Sequence, residues 1–281
     1  MRISLAKEID FENIKASWKI AFKNDSPIDY IDWFFEKNYN PSCTFVLKNK
    51  KQLISSLQWK ECELQFNDKK QKAAMIFGIN TLEEFQNLGY MKKILEHAIK
   101  LLSKKYDQIL IQAYNWDLYR KFGFVNIAYK YHFSIDWNEL IGQKINFIKN
   151  PSNQSLCAIY QQFINKFSFY SHRHENDFQL IKEENKFFEV DFYASNNAYV
   201  VYCKTNNTIF ETCYKTTNDL EDLLISIKEN IPINTIVLPL YQDKVNWAKY
   251  EKEELFLQIL SSPKVQIEKA KLTNINFLDW V

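Results

Sequence analysis

The first 135 residues alternate between stretches with a hydrophobic period of two and stretches with a period near four. Arg2–Ala6 alternates and predicts a strand. Asp10 can cap a helix that runs to about Lys23 with Ile14, Trp18 and Phe22 on one face. Ser26-Pro27 opens a second helix, Ile28–Lys37, because proline suits a first helical turn. Cys43–Leu47 and Gln52–Trp59 read as strands joined by a Lys-rich turn at Lys48–Lys51, the second continuing to about Phe66. The stretch that organises the chain follows. Apolar Ala73–Ile79 predicts a strand, Glu83–Leu88 a polar turn, and a helix opens at Gly89. Gln108–Ala113 is a further apolar strand, a short helix stops at Gly123, and Phe124–Ile135 reads as the strand that closes this part.

Gly142–Pro151 is polar and breaks the periodicity, which places a boundary near Asp136. Beyond it the pattern predicts a helix (Ser155–Phe167), a shorter helix after Ser171–Asp177, and strands at Phe187–Ala194, Ala198–Lys204 and Thr208–Tyr214. A helix (Asn218–Glu229), a strand (Thr235–Leu240) and a helix or loop near Val245–Tyr250 complete it. The order echoes the first half without a strict repeat. Two α+β domains are expected, residues 1–135 and 136–281, and the length of 281 residues accommodates both.

Glycine use sharpens the picture. The chain has four glycines, and Gly78, Gly89 and Gly123 fall within the central unit. Gly89 stands where a helix begins, so the N–H groups of Leu88, Gly89, Tyr90 and Met91 can hold a phosphate with Lys92 adding charge. The plainer reading is a solvated helix start. Gly78 inside a strand marks a bulge or a close approach of another group. Tyr119 is one of 16 tyrosines, and its plain reading is a packing residue on a short helix.

Charge and cysteines exclude several classes. A net charge of +2 speaks against nucleic acid or an acidic membrane as partner. Five scattered cysteines without C-x-x-C predict a reducing, cytoplasmic setting and no zinc site. His172-Arg173-His174 lacks a second ligand set, so no metal is expected there. The opening residues do not read as a signal peptide, and no apolar run reaches the ~18 residues of a membrane helix. Dinucleotide and P-loop signatures are absent.

Gln86-x-x-Gly89-x-Met91 resembles the acyl-CoA pyrophosphate loop of GNAT acetyltransferases, R/Q-x-x-G-x-G/A. Tyr119–Phe124 resembles the Y-x-K-x-G-F stretch near the end of that domain, and Gly89–Leu95 is similar to a run of the Eis-like branch. The resemblance is strong over about the first 135 residues and loose beyond. Met91 departs from the small residue of most members.

The resemblance implies a GNAT fold, with a central mixed, mostly antiparallel splayed sheet, followed by a second, degenerate GNAT-like domain. It implies acetyl-CoA as co-substrate, no metal, and self-association. Backbone groups of Ile79 and Thr81 would hold the pantetheine arm. Gln86 would shape the loop, and Leu88, Gly89, Tyr90, Met91 and Lys92 would surround the pyrophosphate. Tyr119 would protonate the departing thiolate, and the terminal carboxylate of Val281 would act as base, the alternative being a simply packed C-terminus. The branch's third, sterol-carrier-like domain is not expected, because the chain ends too soon.

The function implied is acetyl transfer to a primary amine of a small molecule or peptide in a ternary complex. The alternative is an inactive acyl-CoA-binding regulator or a protein-interaction module, for which the aromatic stretch Phe163–Tyr170 speaks. An aminoacyl-tRNA-using enzyme would need a basic groove, which the charge balance does not favour.

Overall fold

The computed structural model describes residues 1–24, 26–66, 69–113, 115–167, 169–238 and 245–261. The first half runs β1 (Arg2–Leu5), α1 (Phe11–Ala21), α2 (Ile28–Lys37), β2 (Thr44–Asn49), β3 (Gln52–Phe66), β4 (Lys69–Thr81), α3 (Tyr90–Lys105), β5 (Gln108–Ile111), α4 (Asp117–Arg120) and β6 (Val125–Ile135). The second runs β7 (Ile148–Lys149), α5 (Asn153–Ile164), β8 (Phe169–Ser171), α6 (Glu175–Asn185), β9 (Val190–Ala194), β10 (Ala198–Cys203), β11 (Thr208–Tyr214), α7 (Thr217–Ile227), β12 (Thr235–Leu238) and β13 (Ala248–Ser261).

The strands form one continuous sheet in the order β1-β2-β3-β4-β5-β13-β6-β12-β11-β10-β9-β7, with β8 pairing β3. Only β4–β5 and β11–β12 are parallel among the described pairs. This is the mixed, mostly antiparallel sheet that the resemblance implied. Two expectations need correction. β6 does not close the first part, because β13 pairs antiparallel with both β5 and β6. The segment near Val245–Tyr250 is not a helix, since β13 begins at Ala248. Its Lys- and Glu-rich start reads as helical by propensity, but pairing along β6 overrides that preference.

The cores follow the two halves. One cluster joins Leu156, Phe163, Phe178, Tyr199 and Leu224 around α5, α6 and α7. In the first half, α3 packs Ile94, Leu95 and Ala98 onto Ile76, Ile109 and Ile111, while α1 and α2 cover the other face through Trp18, Phe34 and Phe77. Within the second half, Arg173 is buried rather than free for a metal. Its Nη1 donates to both carboxylate oxygens of Glu211 at 3.0 and 3.1 Å, and Tyr199 donates to the same carboxylate at 2.6 Å. Its neighbour His172 lies 3.3 Å from the Gln65 carboxamide, and His174 caps α6. Among the described residues no helix is long and apolar enough to cross a membrane.

Candidate active site

The site begins where β4 and β5 part. Their parallel pairing runs from Ala73–Gln108 to Ile76–Ile111 and stops there. Among the described residues, β4 continues to Thr81 with β3 alone as its partner. Within this free stretch the β3–β4 register slips between Ser56 and Gln58, opposite Gly78. Gly78 has φ +58°, a left-handed conformation that glycine adopts without penalty. The bulge turns its missing side chain toward α1, where the indole of Trp18 fills the space.

Beyond the bulge the backbone directions can be read from the hydrogen bonds. Leu82 donates its N–H to Ile54 at 3.0 Å, so residue 82 faces β3. In an extended strand successive residues turn their N–H and C=O to opposite sides. Thr81 and Ile79 therefore turn theirs away from β3, into the space that β5 has left. The Gln86 carboxamide, reaching back 3.2 Å to the Thr81 carbonyl, accords with this. Asn80 turns toward β3, and its carbonyl accepts from Ser55 Oγ at 2.6 Å.

The loop that follows carries Asn87 at φ +60° and Gly89 at φ +77°, so two left-handed residues set the angle at which α3 starts. A Cβ on Gly89 would meet nothing within 4 Å. α3 has no side-chain cap and no acidic residue in its first turn. Its leading N–H groups have no intrahelical acceptor, and Lys92 and Lys93 stand beside them, the reverse of the charge that the helix dipole favours there. Lys92 lies 3.8 Å from Glu96 on the open surface, a pairing worth little. Leu88 is exposed, whereas Tyr90 and Met91 rest against the core under α3.

Tyr119 comes from α4 and is buried in that same core with Ile76, Ile111 and Phe124. Burial pushes its phenol up to about 12, so it stays protonated through neutral pH. Glu83 and Glu84 are exposed, and Glu84 accepts from Gln52 at 3.0 Å. His97 packs edge-on to Phe45, with ring centroids 5.3 Å apart. Val281 lies outside the described residues. An open groove of about 640 Å³ runs beside α4, walled by Trp116, Asp117 and Arg120, by Tyr129 of β6, and by Glu253 and Leu255 of β13.

Ile79, Met91 and Tyr119 thus pack onto one core, and Gln86 reaches Thr81 at the free end of β4. What sequence reasoning missed is the support behind it. Ser55 and Ser56 interrupt the apolar strand Leu53–Trp59 directly opposite Asn80 and Thr81. Two buried hydroxyls in an apolar run were the available signal.

Residues 2–126 match the family model described as the acetyltransferase (GNAT) domain. The whole fold is similar to a probable N-acyltransferase from Enterococcus faecalis V583, with TM-score 0.73 at 14% identity over 93% of this chain and 72% of that one. It is equally similar to Eis1 from Mycobacterium abscessus, with TM-score 0.73 at 11% identity over 93% and 74%. At such identities the likeness is one of fold. In sequence, a tRNA(Ile)-lysidine synthase of Mycoplasma mycoides subsp. mycoides SC is 23% identical over 132 residues, which is 47% of this chain and 33% of that protein.

Proposed function

We propose that the protein transfers an acetyl group from acetyl-CoA to a primary amine of a small molecule or peptide, both held in one ternary complex. The observation that carries this reading is the free end of β4 beside an uncapped helix start. Ile79 and Thr81 face the gap with backbone donors, and α3 offers unpaired N–H groups a few residues further on. In this reading the pantetheine arm lies along β4, while Leu88, Gly89, Tyr90, Met91 and Lys92 take the pyrophosphate and Gln86 holds the loop. A donor aimed at the developing oxyanion contributes roughly 10²–10³ in rate, and positioning both reactants supplies more.

Tyr119 keeps its proton and can deliver it as the carbon–sulfur bond breaks. The terminal carboxylate of Val281 takes the proton of the attacking amine in the same proposal. The aromatic walls and carboxylates of the groove beside α4 suit an incoming ammonium. The division into domains 1–135 and 136–281 belongs to the proposal too, with β13 returned to the first. So does a cytoplasmic setting, which the five free cysteines favour.

The test is calorimetric titration with acetyl-CoA, followed by thiol release across a panel of amines. Micromolar binding is expected, and Gly89→Glu should abolish it. The side chain has room, but φ +77° strains any residue other than glycine, so Gly89→Ala is the control, and a loss confined to Gly89→Glu would report on the carboxylate placed where a phosphate binds. Binding without turnover on any amine would favour an inactive acyl-CoA-binding regulator. No binding by folded protein would refute the proposal.

A further inference from the structure

We infer that Ser55 is a positioning residue, which aims the Thr81 N–H into the gap between β4 and β5 for the amide-bearing arm of the acyl donor. The inference deepens the function proposed above and rests on it.

A trans peptide joins Asn80 to Thr81. The carbonyl and N–H of one planar trans peptide point in opposite directions. Whatever grips the Asn80 carbonyl from the β3 side therefore sets the direction of the Thr81 N–H on the other. Ser55 Oγ donates to that carbonyl at 2.6 Å. A hydroxyl has one proton to give, so the 3.1 Å contact between Thr81 Oγ1 and Ser55 Oγ is donated by the threonine. Ser55 is fully buried, and its hydroxyl has no water to turn to.

The grip is needed at this point because of the bulge. Regular register is lost between Ser56 and Gln58, one residue pair away, and β5 no longer braces β4 on its other edge. Without a further contact the peptide could rock about the strand axis. Asn80 is also held by its side chain, whose Oδ1 lies 3.3 Å from both Ser56 Oγ and Ser17 Oγ of α1. Ser17 Oγ gives its proton to the Ile14 carbonyl at 2.7 Å, so it is strand β3 that holds Asn80, through both its main-chain and side-chain carbonyls, and the freedom that remains at Thr81 faces the gap.

The test compares two probes on wild type and two variants, Ser55→Ala and Ser55→Cys. Acetyl-CoA carries the pantetheine arm. 3′-Phospho-ADP carries the nucleotide and its diphosphate without the arm. For Ser55→Ala we expect acetyl-CoA to bind roughly three- to ten-fold more weakly, the worth of one hydrogen bond. 3′-Phospho-ADP should bind as in wild type. Ser55→Cys, nearly isosteric and a weak donor, should fall between. Thermal unfolding of each variant separates loss of fold from loss of aim. Unchanged acetyl-CoA affinity in Ser55→Ala, or equal loss of both probes, would overturn the inference alone. Failure of wild type to bind acetyl-CoA would overturn the proposed function, and this inference with it.

Discussion

Replacing Gly78 by alanine tests the bulge on which the site depends. Two costs add at this position. The backbone sits at φ +58°, where a side chain costs about 1–2 kcal/mol. The new Cβ would also stand 2.8 Å from Trp18 Cε2 and 2.9 Å from Cη2, and nearer still to Cζ2. The indole has little room to retreat. It stacks on Phe34 with centroids 5.0 Å apart, and meets Phe22 at 5.0 Å, Phe35 at 5.3 Å and Phe77 at 6.2 Å edge-on. Overpacking of such a core costs about 1–3 kcal/mol. The expected total is roughly 2–5 kcal/mol, which for a chain of this size lowers the Tm by about 3–8 °C. Thermal and urea unfolding would measure it. A double-mutant cycle with Trp18→Leu separates the two costs, because in that background only the backbone penalty of about 1–2 kcal/mol should remain. A Tm within about 2 °C of wild type, or the same cost with and without the indole, would refute the reasoning.

Other consequences are as direct. Arg173→Met leaves the Glu211 carboxylate buried without its cation and should destabilise by about 3–5 kcal/mol, whereas removing both charges should cost less than removing either; urea midpoints of the three variants decide this. Tyr119→Phe should retain acetyl-CoA binding while turnover falls by roughly 10²–10⁴, and equal turnover in stopped thiol-release assays would remove the phenol from the chemistry. The phenol is raised in the folded protein by burial, from about 10 to about 12. Its contribution to stability is therefore complete below pH 10 and lost as pH rises through about 12. Tyr119→Phe should flatten the pH dependence of unfolding in that window.

Much of this architecture was legible because the first half obeys simple periods. Ile28–Lys37 could be delimited from Pro27 at its head and the aromatic face behind it, and α2 has those bounds. Gly78 could be read as a bulge because glycine inside an apolar strand has few other uses. Its partner, Trp18, reads in the sequence only as part of a helix face, since nothing in the chain's order says which strand residue an indole will cover. The serines of β3 carry no mark of their role in the sequence for a related reason. Their meaning lies in what stands across the ladder, and register is a tertiary property. β13 was hidden more deeply. Its charged start argues for helix, and its place between β5 and β6 depends on pairing with strands far back in the chain.

That placement bears on how the protein is made. β5 and β6 leave the ribosome more than a hundred residues before the strand that fits between them. At ~5–20 residues per second, the nascent first half waits roughly 5–20 s with two facing edges open. Open edges invite pairing with other chains. The sheet must therefore be assembled out of translation order, with a late strand sliding into a slot kept clear for it. Synthesis speed and chaperone occupancy during that interval, as much as the final contacts, should govern the yield of folded molecules.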